Sequence, residues 1–185
     1  QRLDPAASWD PHVGAPHLLE SFIQSVEQRL MADVPVGIVL SGGLDSALVA
    51  AVAHEAADRA GQPVPEVWTV AGSEDNPDWK AAEAVASALD LKHHQHLLQP
   101  EDFDYHLPNL VWHGEDLDTS VMFFQPLFQT MASSVKVGLC GQGADELHAG
   151  YPRYRDPHAH AALVRQRLEA MDHPTAAASL NGTLQ

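Results

Sequence analysis

The sequence predicts an α/β fold in which a mainly parallel sheet of four to five strands is flanked by helices. Three observations carry this expectation. Short apolar runs alternate along the chain with segments whose apolar residues recur at helical spacing. The first run, Val34 to Leu40, is short, apolar and rich in β-branched residues, as in a strand buried on both faces. Two loops rich in glycine and carboxylate directly follow strands, where ligands bind in sheets of this kind.

Residues 1–15, with Pro5, Pro11 and Gly14, read as a linker. His17 to Met31 places Leu18, Leu19, Phe22, Ile23, Val26 and Leu30 on one helical face. Val34 to Leu40 is the first strand, and Ala-rich Asp45 to Ala60 the next helix. Glu66 to Ala71 is a strand, Trp79 to Leu89 a helix, and Lys92 to Leu98 the third strand. Phe103 to Trp112 and Thr119 to Ser133 read as helices, Pro126 starting or kinking the second. Val135 to Cys140 is the fourth strand and Arg155 to Met171 the closing helix. The order implies right-handed crossovers in a Rossmann-like, three-layer α/β/α domain over residues 16–172, followed by a tail at 173–185.

With 185 residues, 45% of them hydrophobic, the chain can bury a sizeable core. Its 25 acidic against 10 basic residues give a net charge of -15, which argues against nucleic acid or an anionic membrane as partner. Cys140 is the only cysteine, so no disulfide forms within the chain. With no apolar run near the ~18 residues of a membrane span, a cytoplasmic setting is expected. Gln1, not Met, opens the sequence, so a cut or processed N-terminus is expected.

The first loop is Ser41-Gly42-Gly43-Leu44-Asp45-Ser46, between a buried strand and a helix. Two glycines let the backbone turn sharply and bring its N–H groups close to an anion. The orphan N–H groups of the helix start carry the positive end of its dipole. Ser41 and Ser46 add hydroxyls, giving a phosphate cradle. Asp45 would repel phosphate unless it holds Mg²⁺ between them. No lysine follows the glycines, so this is not a GxxxxGK[ST] loop. It resembles the SGG[LIV]DS loop of N-type ATP pyrophosphatases, which hold the leaving pyrophosphate of ATP.

The second loop runs Gly141-Gln142-Gly143-Ala144-Asp145-Glu146-Leu147, followed by Gly150-Tyr151-Pro152-Arg153-Tyr154. Its carboxylates suit the start of a short helix. The two loops together resemble the synthetase domain of asparagine synthetases. Arg2-Leu3-Asp4-Pro5, Val67-Trp68-Thr69-Val70 and the stretch Asp78 to His94 resemble further segments of that domain, so the likeness covers roughly residues 1–156.

In that family ATP and aspartate form β-aspartyl-adenylate and pyrophosphate. Ammonia from a glutaminase domain then displaces AMP. The resemblance implies that Leu40, Val70, Cys140 and Gly141 meet the adenosine part. Ser41, Gly42, Gly43, Leu44, Asp45 and Ser46 would form the pyrophosphate loop, and Asp45 and Asp145 would bind Mg²⁺. Gln142 stands where the family usually has Glu. It can orient a substrate but cannot act as a base. The family's downstream catalytic lysine has no counterpart, since the lysines are Lys80, Lys92 and Lys136. The resemblance thus implies the nucleotide-binding part of a synthetase, without its glutaminase and its C-terminal part, and leaves a homodimer open. Two alternatives stand beside it: a natural-product amide synthetase of β-lactam or lasso-peptide type, and a non-catalytic ATP-binding module.

The remaining candidates read as structural. His94 and His96 share a strand face and could pair on a metal, but the family carries a similar strand without zinc. Glu115, Asp116 and Asp118 read as a solvated loop, Arg153 and Arg155 as partners in surface salt bridges, and Trp68 and Trp112 as core. Nothing in the sequence activates Cys140 as a nucleophile.

Overall fold

Four strands form one all-parallel sheet in the order β3-β2-β1-β4 among the described residues. The computed structural model describes residues 10–102, 108, 111–112 and 124–170. Arg2 to Pro5, most of the helix expected at 103–112, the start of the next at 119–123, the acids Glu115, Asp116 and Asp118, and the tail after His173 lie outside the described residues. The chain divides into two compact units, Gln1–Gly141 and Gln142–Gln185.

The first unit opens with α1 (Pro11–Leu30). It begins inside the stretch expected to be linker, six residues before His17. The Asp10 carboxylate accepts the His12 N–H at 2.9 Å, and Pro11 fills the first helical position, where no N–H is needed. Only Pro16 breaks the helical hydrogen bonding from within. Ile23, Val26 and Leu30 form its buried stripe, against α2 (Leu44–Ala60).

Strand β1 (Val36–Val39) starts after Pro35, which cannot donate to the ladder, so it is shorter than expected. α2 buries Val49, Ala50, Val52, Ala53, Ala56 and Ala57, and its alanines allow close approach to β1 and α1. Gly61 ends it in the left-handed region at φ 62°, with Gln62 N–H returning to Ala57 O at 2.9 Å.

Strands β2 (Glu66–Ala71) and β3 (His93–Leu97) flank α3 (Pro77–Ala88). α3 starts where the Asn76 side chain accepts the N–H groups of Asp78 at 2.8 Å and Trp79 at 3.4 Å, ahead of Pro77. Asn76→Ala should lower stability by about 1 kcal/mol, read as a shift of the urea midpoint with unchanged slope.

α4 (Phe124–Ala132) leads to β4 (Val137–Leu139), which pairs with β1. Helices cover both sheet faces, giving the three-layer α/β/α arrangement. On one face Ile38, Leu40 and Val67 join the stripes of α1, α2 and α3. On the other, Trp68 packs with Leu127, Met131 and Val135, flanked by Val39 and Val70. Trp68 is core, as expected. Trp112 is not: it is 80% exposed and belongs to neither cluster.

The second unit holds α5 (Ala144–His148), a 3₁₀ turn at Pro152–Arg155 and α6 (Pro157–Ala170). α6 starts two residues later than expected, because Asp156 Oδ1 caps Ala159 N–H at 2.9 Å and Pro157 opens the helix. Among the described residues no helix is long and apolar enough to cross a membrane.

Candidate functional site

Strand order reverses between β1 and β4, and both lead directly into the glycine loops. A crevice outside the carboxyl ends of the strands opens at such a switch point.

Leu40 directly follows β1 and is 1% exposed, within the core. Its N–H donates to Trp68 O at 2.8 Å and its carbonyl accepts the Thr69 hydroxyl at 2.7 Å. Beyond Leu40 the loop holds itself. Gly43 N–H donates to Ser41 Oγ at 3.3 Å, the Ser41 and Ser46 hydroxyls meet at 2.9 Å, and Ser46 Oγ donates to Gly43 O at 3.1 Å. Ser41 N–H adds a bond to Ser46 Oγ at 3.1 Å. Ser46 is buried, so its hydroxyl braces the loop from within instead of pointing outward. Ser46→Ala should cost about 1 kcal/mol, because the Ser41 N–H loses its acceptor while the Gly43 carbonyl keeps only the Ala47 N–H; thermal unfolding would register it.

Gly42 sits at φ 77°, in the left-handed region. It lies so close to the first turns of α3 that an added Cβ would strike the Asp78 carbonyl oxygen, Ala82 N at 2.7 Å and Ala81 Cβ at 2.8 Å. Gly43 caps α2 without a side-chain hydrogen bond. The first-turn N–H groups of Leu44, Asp45 and Ser46 have no partner among the described residues. They lie at the positive end of a 17-residue helix. Leu44 is exposed and Asp45 half-buried. The Asp45 carboxylate makes no hydrogen bond or ion pair among the described residues.

Gly141 closes the crevice from the β4 side. A Cβ there would come within 2.8 Å of Asp45 C, Asp45 Cβ and Ser46 N. Cys140 is exposed and free. Val70, next along β2 after the residue beside Leu40, is half-buried on the opposite face. The first unit therefore gathers Leu40, Ser41 to Ser46 and Gly141. An anion is served by the bare N–H groups, and a hard cation by the unpartnered Asp45 carboxylate. These residues fit a magnesium-bound polyphosphate.

Behind this loop lies a polar line that sequence reasoning missed. Thr69, 2% exposed, reaches Leu40 O on one side and His93 Nε2 at 2.7 Å on the other. Its signal was legible: one hydroxyl in the buried run of β2. Burial pushes the His93 imidazole down, Glu83 opposing and His94 adding to the effect. His94 stacks on Trp68 with centroids 4.5 Å apart and meets Glu66 Oε2 at 2.6 Å. The Lys92 ammonium, then His94, holds the Glu66 carboxyl below the usual range. His96 Nε2 meets Asp102 Oδ2 at 3.3 Å. The three histidines thus have separate partners, and no group of His, Cys, Asp and Glu among the described residues is arranged to hold a metal.

In the second unit Gln142 is exposed in the turn before Gly143, which adopts φ 96°. Asp145 lies in the first turn of α5, its Oδ1 against the face of Gly150 that a side chain would occupy. The Glu146 carboxylate accepts the Tyr151 hydroxyl at 2.8 Å. Among the described residues Arg153 does not form the expected salt bridge. Its guanidinium lies 4.1 Å from the Tyr151 ring centroid and 4.9 Å from that of Tyr154, and it donates to the Tyr154 hydroxyl at 3.2 Å.

The sequence matches the asparagine synthase family over residues 17–183. It is 37% identical over 158 residues to the glutamine-hydrolyzing asparagine synthetase of Asparagus officinalis, covering 80% of this chain and 26% of that protein. It is 38% identical over 151 residues to the probable asparagine synthetase of Dictyostelium discoideum, covering 74% and 27%. The chain thus spans about a quarter of the length of these curated relatives. The NH3-dependent NAD synthetase of Campylobacter jejuni is similar in fold, with a TM-score of 0.51 at 16% identity over 90% of this chain and 92% of that one. The matched span takes in both glycine loops, and this chain belongs to the asparagine synthase family.

Proposed function

We propose that this chain is the nucleotide-binding part of an ATP-dependent amide-forming ligase that adenylates aspartate before ammonia attacks. The observation that carries the reading is the bare helix start at Leu44 to Ser46, framed by Gly42 and Gly141. In it the N–H groups of α2 receive the leaving pyrophosphate, and the hydroxyl ring of Ser41 and Ser46 keeps those groups aligned before ATP arrives. Preformed donors of this kind act on charge that develops as the bond between the α- and β-phosphates breaks, with no reorganisation at that moment. Magnesium, held by Asp45, would neutralise part of the leaving charge. The backbone of Leu40, Val70, Cys140 and Gly141 would receive the adenosine part, since the Leu40 side chain is committed to the core.

Gln142 offers an amide where the usual family residue offers a carboxylate. It orients the aspartyl substrate by hydrogen bonds and takes no proton. A glutaminase domain supplies ammonia in this reading. The test is the full-length protein with Mg²⁺, ATP, aspartate and glutamine. Pyrophosphate and asparagine are expected in equal amounts, and absence of both would overturn the reading. Gln142 also favours a second reading, a natural-product amide synthetase with a different carboxylate substrate. Pyrophosphate release with another carboxylic acid, and none with aspartate, would select it.

A further inference from the structure

We propose that Thr69 and His93 are positioning residues for the nucleotide loop: through the carbonyl of Leu40 they set the direction in which the chain enters Ser41 to Ser46. Leu40 is the last residue before the loop that is fastened to the sheet. Its N–H is held by Trp68 O at 2.8 Å and its carbonyl by Thr69 Oγ1 at 2.7 Å. The loop bonds that follow, among Ser41, Gly43 and Ser46, are internal and give the ring no bearing on the sheet.

The Thr69 hydroxyl has one hydrogen, and its bond to Leu40 O uses it. Its 2.7 Å contact with His93 Nε2 then requires the ring to donate. His93 therefore carries its proton on Nε2, and the half-buried, neutral ring locks the hydroxyl toward Leu40. Both groups lie on the sheet face that carries Leu40 and Val67, since His93 pairs with Val67 in register. A threonine without the histidine could turn its hydroxyl away, and a histidine without the threonine could not reach the carbonyl.

The consequence for ligand binding rests on reading the loop as a phosphate cradle. The test separates the two claims. Amide hydrogen exchange of the full chain, read residue by residue, reports the loop with no ligand present. Thr69→Val, which keeps the shape and removes the hydroxyl, should speed exchange of the hydrogen-bonded loop amides, Ser41 and Gly43, about tenfold relative to the rest of the sheet. His93→Phe should do the same, while His93→Gln, which still donates, and Thr69→Ser, which keeps the hydroxyl, should stay near wild type. Unchanged exchange in Thr69→Val, or a uniform rise across the sheet, overturns the proposal. So does loosening by Thr69→Ser as large as by Thr69→Val, because lost packing would then be the cause. In the same variants the dissociation constant for ATP should rise about tenfold in the presence of Mg²⁺. If wild type binds no ATP, the cradle reading fails, while the exchange data still decide the positioning role.

Discussion

Gly42→Ala is expected to destabilise the fold by about 3 kcal/mol and to abolish ATP binding. Two costs add. The residue holds φ 77°, where a side chain costs about 1 kcal/mol. The new methyl also meets α3 backbone, at 2.7 Å from Ala82 N, which no rotamer change relieves. Either the loop or the first turn of α3 must move, and in the proposed function the loop is the part that receives phosphate. Gly61 supplies the control. It has φ 62°, but nothing lies within 4 Å of its added Cβ. Gly61→Ala should cost only about 1 kcal/mol and leave ATP binding intact. Urea unfolding of both variants makes the comparison. Equal losses would mean that the collision with α3 contributes nothing.

Asp45→Asn is expected to weaken ATP binding about 100-fold in magnesium, and to strengthen it slightly when magnesium is removed by chelation. The reversal of sign follows from charge. A carboxylate beside phosphate repels it unless a cation lies between them, and asparagine keeps the size while losing the charge. If Asp45 served only as an acidic residue favoured at a helix start, its replacement would cost a few tenths of a kcal/mol of stability and would not reverse sign with the metal. Titration of ATP into wild type and variant, with and without chelator, reads both arms. Unchanged affinity in magnesium would remove Asp45 from the metal site.

Much of this architecture was legible because buried parallel strands and crossover helices write different periods into the sequence. β2 and α2 came out nearly whole, since Val, Trp and Thr on one side and an alanine-rich stripe on the other leave little ambiguity. The ends were harder. Pro11 was read as a breaker, yet at the first helical position it costs nothing, and the Asp10 cap recruits that stretch into α1. Pro35 cut the other way, removing a donor and shortening β1. The glycine loop at Ser41 to Ser46 was recognisable by its residues, but its inward-turned hydroxyls were not. Which way Ser46 Oγ points depends on burial against its neighbours, which spacing does not encode. The same holds for Thr69 and His93, 24 positions apart and joined only by sheet register. Arg153 looked like a partner for acids, because charge is legible in sequence and the proximity of two tyrosine faces is not.

Whether Ser41 to Ser46 is a phosphate cradle is decided by calorimetric titration of ATP into the chain, in magnesium and in competition with inorganic pyrophosphate. Saturable binding is expected, displaced by pyrophosphate and eliminated by Gly42→Ala. Binding that pyrophosphate leaves untouched, or no binding by a chain whose circular dichroism reports the α/β fold, would contradict the cradle reading.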